Sequence, residues 1–246
     1  MMASDRWRRI APGPPGLATR ILALGGALWA AGCATAPAAP PPDSETMTRV
    51  VFRNVSPGVE PDSYDALPRT LFRSGLRYGR LEHPPDPETG EHMLVVVNEP
   101  HGFLIDRSRG SALYLRDPGP SYAFRAPIVD DPGAPPLLAA LEFGKEIAFM
   151  RALNAEPREA RDQAGRPVGR WEADFEGYHI VLLTDPRSGL PRRIRVHTEG
   201  RLVRAIDYED YDVFLPLDPA LFVPPPGVQL VLHGSATDES AAPATP

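Results

Sequence analysis

Between about residue 45 and residue 234, apolar and polar positions alternate with period two through most of the chain. That is the pattern of strands buried on one face. Residues 48–53 (TRVVFR) open the series. Residues 70–81 follow as one strand, with Gly75 and Gly79 read as bulges or bends inside it. After the turn sequence PDPETGEH, residues 93–97 (MLVVV) are apolar without a break, so both faces of that strand are expected to be covered. Residues 102–106 and 112–116 are placed to pair across an SRG turn, and 122–128 add another strand.

The pattern then changes. Pro135-Pro136 followed by LLAALEF reads as a helix start, with proline in the first turn. Gly144 is either the C-cap of that helix or a glycine inside it, and KEIAFMRAL continues the helix or begins a strand. Beyond it, 169–175, 178–184 and 192–198 form a meander. Its turns are Glu176-Gly177 and the DPRSG of 185–189, and Glu199-Gly200 makes a tight hairpin into 201–211. The closing LPLDPALFVPPPGVQL is too rich in proline for a central strand. The expected fold is mainly β (α+β): a strongly curved, largely antiparallel sheet with one or more helices in its concavity. Such a helix buries the inner face without a second sheet.

The first residues read as targeting and not as fold. Arg6, Arg8, Arg9 and Arg20 make a basic segment, and residues 21–31 (ILALGGALWAA) are apolar. A bilayer span needs about 20 apolar residues, whereas a signal-peptide core takes about 7–15. Ala30, Ala31 and Gly32 then lead into Cys33, the only cysteine. The junction resembles a bacterial lipobox, which implies diacylation of Cys33 after removal of 1–32. A lone cysteine has no internal disulfide partner, and lipidation accounts for it. Residues 33–44 are rich in alanine and proline and read as a tether, 45–234 as one β domain, and 235–246 as a disordered tail.

The whole chain carries a net charge of −6, and loss of the basic leader makes it more acidic. That argues against nucleic acid as a partner, which wants clustered positive charge.

One resemblance rests on the closing strands. Residues 177–183 (GYHIVLL), 185–194, 206–211 (IDYEDY) and 218–225 (DPALFVPP) form an ordered series. The series is similar to the end of the LolA/LolB-like superfamily of outer-membrane lipoprotein-sorting and lipid-binding lipoproteins. It covers about 175–228, and 93–125 more loosely. The resemblance implies an unclosed barrel, with helices plugging its mouth, that holds acyl chains in an apolar cavity inside the curved sheet. Candidate lining residues are Val95, Val97, Phe103, Ile105, Leu113, Leu115, Phe124, Ile180, Leu182, Ile194, Val196, Leu202 and Ile206. The plain alternative is that they pack as solid core.

Other chemistry finds little footing. His83, His92 and His101 match no zinc spacing, and His179 and His197 read as cross-strand neighbours. No G-x-S-x-G elbow occurs. Asp207, Glu209 and Tyr211 are expected on one face of their strand, with Tyr208, Asp210 and Asp212 on the other. Their acids are expected to pair with the arginines of 192–195 and 201–204.

The reading is therefore a non-enzyme with no cofactor and no metal. It is expected on the periplasmic side of the outer membrane, held by membrane lipid through its acylated N-terminus. There it carries a hydrophobic ligand, a lipid or a lipoprotein's acyl chains. The alternative is a solid-core interaction or sensor module of the envelope with no small-molecule ligand. If Cys33 carries the anchor, Cys33→Ser releases the protein into the soluble fraction. Retention of that variant on membranes after a high-salt wash contradicts the lipoprotein reading.

Overall fold

The computed structural model describes residues 45–117, 119, 123–131 and 133–232; the leader, Cys33, the tether, Tyr122, His233 and the tail lie outside them. Two meanders share one sheet. The first runs β1 (Thr46–Asn54), β2 (Arg69–Ser74), β3 (Tyr78–Glu82), β4 (Met93–Asn98), β5 (His101–Asp106) and β6 (Ser111–Arg116). The second runs β7 (Arg158–Arg161), β8 (Pro167–Phe175), β9 (Tyr178–Thr184), β10 (Pro191–Thr198) and β11 (Arg201–Pro216). They join where β1 pairs antiparallel with β11. A last short strand, β12 (Gln229–Leu232), adds parallel to β6 at the edge. The order is β12-β6-β5-β4-β3-β2-β1-β11-β10-β9-β8-β7, and the sheet is curved, as the sequence pattern predicts, and unclosed, as the resemblance implies.

Turn chemistry sets these registers. Glu176 and Gly177 (φ 44° and 84°) and Glu199 and Gly200 (φ 51° and 73°) put two consecutive residues at positive φ. That backbone twist suits two-residue hairpins. The first joins β8 to β9, the second β10 to β11. Ile194 stands opposite Leu182 and Val196 opposite Ile180, and all four are fully buried. A one-residue slip would turn all four outward.

Four local expectations need correction. Residues 70–81 are two strands and not one, because Gly75, at φ 55°, turns the chain between β2 and β3. Among the described residues of 122–128 there is no strand, only a bridge between Pro127 and Glu142. The LLAALEF segment forms a 3-10 turn, Pro136–Ala140, and the α-helix α1 comes later, at Glu146–Ala152. Gly144, at φ 82°, separates the two and caps neither as a continuous helix. Strand β7 has no apolar alternation to announce it; REAR is mostly exposed and is held by pairing to β8 alone.

The connection from β6 to β7 decides the core. It leaves the sheet near one edge and re-enters at the other, so it must traverse nearly the whole sheet. It does so on the inner face. Phe124, Ile128, Leu138, Leu141, Phe143, Phe149 and Met150 from this crossover are all buried against Val50, Phe52, Leu71, Val97, Trp171, Ile180, Leu182, Ile194, Val196 and Ile206. Gly79 permits the approach on one flank: a Cβ there would stand 2.3 Å from the Phe124 ring. A smaller cluster of Leu94, Val96, Ile105 and Ala112 lies apart from the main core, with Phe103 and Val228 against it. The uninterrupted apolar run of β4 is thus covered on both faces, as its composition predicts.

Candidate functional site

The inner face is where the family resemblance places a ligand. Of the thirteen candidate lining residues, Val97, Phe124, Ile180, Leu182, Ile194, Val196 and Ile206 belong to the main core, with Val95 packed against it. Leu113 and Leu115 follow Val95 and Val97 across the ladder, through Leu104 and Gly102, and are half-buried. Three candidates fall elsewhere. Phe103 and Ile105 register with Val96 and Leu94 and so belong to the second cluster, because β4 and β5 are buried on both sides. Leu202 registers with His197, after an irregularity between Val196 and His197 reverses the expected parity, and it stands on the outer face.

Polar groups lock the crossover in place. Glu142, 1% exposed, meets Arg73, 4% exposed, at 3.0 Å. It also takes Arg125 at 2.7 Å and Lys145 at 3.4 Å. Burial works against its charge, yet Arg73, Lys145 and Arg125 together hold the Glu142 carboxyl below its usual range. Arg73 Nη1 also donates to the Phe143 carbonyl at 2.6 Å. One turn on, Glu146 is fully buried and accepts from Tyr208 Oη at 2.8 Å, Tyr211 Oη at 2.6 Å and the Gly144 amide at 3.0 Å. Burial pushes the Glu146 carboxyl up and both tyrosine hydroxyls well above theirs.

The two tyrosines reach the same carboxylate only because β11 bulges. Val50 stands opposite Tyr211 and Phe52 opposite Tyr208, with a register shift between Val51 and Phe52. Simple alternation would have put the tyrosines on opposite faces. The acids of this strand also find other partners than expected. Arg193 pairs with Asp207, but Asp210 and Asp212 meet Arg49, and Glu209 meets Arg53, both from β1. Glu142, Glu146 and Arg73 were not singled out in the sequence. A lone charged residue within an apolar run, as in LEF and KEIAF, is the signal that was there to find.

On the outer face of β8–β10, two surface clefts open beneath the turn between β7 and β8. One is about 450 Å³ and the other about 640 Å³. His179 and His197 are cross-strand neighbours there, as expected, with ring centres 5.8 Å apart. His179 Nδ1 shares a hydrogen bond with Asp174 at 2.9 Å.

No family model matches the sequence, and no curated protein does. Among solved structures, the fold is similar to an uncharacterized conserved protein from Thermus thermophilus. That match has 11% identity over 77% of this chain and 91% of that one, with a TM-score of 0.43. It is similar to a chain of the Pseudomonas aeruginosa MucA/MucB complex, at 13% identity, with a TM-score of 0.29. The match covers 76% of this chain and only 58% of that one. It is also similar to a structure described as an outer membrane lipoprotein-sorting protein domain from Vibrio parahaemolyticus. There the identity is 11% over 72% of this chain and 88% of that one, with a TM-score of 0.30. At these scores the likeness is one of architecture, and what the chain does is argued from its own residues.

The Glu142 cluster makes a direct prediction. Removing one partner of a buried ion pair leaves an uncompensated charge, at a cost of about 3–5 kcal/mol. Glu142→Gln should lose stability of that order in urea unfolding, through Arg73. A loss below about 1 kcal/mol, the worth of a surface pair, contradicts the locking role.

Proposed function

We propose that the chain is an envelope lipoprotein whose β domain is a protein-interaction module with a filled core, tethered to the outer membrane through acylated Cys33. One observation carries the choice over lipid carriage: the crossover from β6 to β7 occupies the inner face that acyl chains would need. Magnitudes agree. Seven large side chains of the crossover are buried there. At about 1.5–3 kcal/mol each, withdrawing them costs roughly 10–20 kcal/mol. A saturated tail of about sixteen carbons returns roughly 13 kcal/mol at about 0.8 per methylene. Withdrawal also breaks the Arg73–Glu142 pair and strips Glu146 of its tyrosines. Those polar losses tip the balance against the lipid.

We read the module as non-catalytic on related grounds. Its two most buried acids are engaged in holding the crossover: Glu142 by three cations, Glu146 by two tyrosines and an amide.

Val97 and Leu115 separate the two readings. Extra bulk in a packed core costs about 1–3 kcal/mol, whereas a cavity accepts it. Val97→Trp should be destabilised by that amount, half-buried Leu115→Trp by less. The parent protein should bind no fluorescent fatty-acid probe. Probe binding by the parent, weakened in Val97→Trp at unchanged melting temperature, overturns the filled-core reading in favour of the carrier.

A further inference from the structure

The smaller outer cleft has an imbalance of charge that nothing in the fold requires. Five arginines line it, at 161, 166, 170, 193 and 195, against one acid, Asp162. Three of the five are neutralised. Arg166 pairs with Asp162 at 2.7 Å, Arg170 with Glu172 at 2.6 Å, and Arg193 with Asp207. The other two are not. Arg161 donates only to the Gly165 carbonyl, at 2.7 Å, and Arg195 has no polar partner among the described residues. Beside them, His197 Nδ1 is buried without a hydrogen bond.

The shape is as informative as the charge. The clefts share Asp162, Arg166, Leu183 and Arg193, so they form one continuous groove; the acids of its larger part, Asp185, Asp207, Glu209 and Asp210, are paired with Arg192, Arg193, Arg53 and Arg49, so the unmatched charge lies at the smaller end. Its floor includes Val168, Val181, Leu183 and Leu190, apolar positions between the arginines. A single phosphate fills little of such a groove and has no use for that floor. An extended peptide uses both, with carboxylates on guanidinium forks and apolar side chains on the floor. We propose that this groove binds an acidic, extended segment of a partner protein, with Arg161 and Arg195 as the recognition charges. The proposal names the surface of the interaction module and rests on that reading. The charge that Arg161 and Arg195 leave unmatched in this cleft attracts an acidic segment to this face.

The test uses the full-length lipoprotein in detergent at low salt, with a labelled hexaglutamate peptide followed by fluorescence anisotropy. The parent is expected to bind it. The Arg161→Ala, Arg195→Ala double variant, with its melting temperature checked, is expected to bind about tenfold or more weakly. Arg201→Ala, which removes an exposed arginine outside the groove, is expected to bind as the parent does. No binding by the parent overturns the proposal, and so does equal weakening by Arg201→Ala. Displacement by inorganic phosphate at the same total charge also overturns it, because it reveals a single-oxyanion site. A fatty-acid probe bound in the core, with peptide binding intact, removes the filled-core reading and leaves the groove standing.

Discussion

An open sheet of twelve strands has one apolar face to take out of water and no second sheet to cover it. The chain meets this constraint with a single connection. Because β6 lies near one edge and β7 at the other, the residues between them must cross the sheet, and crossing on the inner side buries both at once. The crossover has little regular structure of its own, one 3-10 turn and a seven-residue helix. Its backbone satisfies itself only in part, so polar side chains do the rest of that work: Arg73 takes the Phe143 carbonyl, and Glu146 takes the Gly144 amide. The buried charges follow from the irregularity of the segment that fills the core.

The strands were largely legible, for physical reasons that also explain the failures. Ile180, Leu182, Ile194 and Val196 alternate without interruption, and the Glu-Gly turns fix their register, so both face and pairing could be read. Where a strand bulges, parity no longer reports the face. Tyr208 and Tyr211 came together, and Leu202 moved to the outer side, through single-residue irregularities that composition does not mark. Segments 122–128 and 137–143 look like a strand and a helix because they are apolar, yet the burial of 123–128 and 137–143 comes from lying on the sheet and not from regular hydrogen bonding. Candidate cavity residues were therefore found as buried positions, while the crossover that packs against them could not be placed by periodicity.

The two faces of the second meander divide the labour. Inward, its apolar positions are spent on the core. Outward, arginines, histidines and acids alternate along the same strands, and most of the charges are matched locally, as Arg193 is by Asp207. Exposed pairs of this kind add at most about 1 kcal/mol each, so the outer face is free to carry recognition without weakening the fold. A filled interior and a groove of partly unmatched charge are consistent with one another: the surface is what remains available to a partner.

Whether the crossover is a fixed part of the core or a lid is the central question, and native-state hydrogen exchange answers it most directly. The Ile128 amide bonds the Leu141 carbonyl at 2.8 Å, and the Phe143 amide bonds the Ala126 carbonyl at 2.9 Å. If the crossover is core, both amides exchange only with global unfolding, at the same free energy as the amides of Ile180 and Ile194. If they exchange through a cheaper opening while β9 and β10 stay protected, and fatty acid promotes that opening, the crossover is a lid and the filled-core account is wrong.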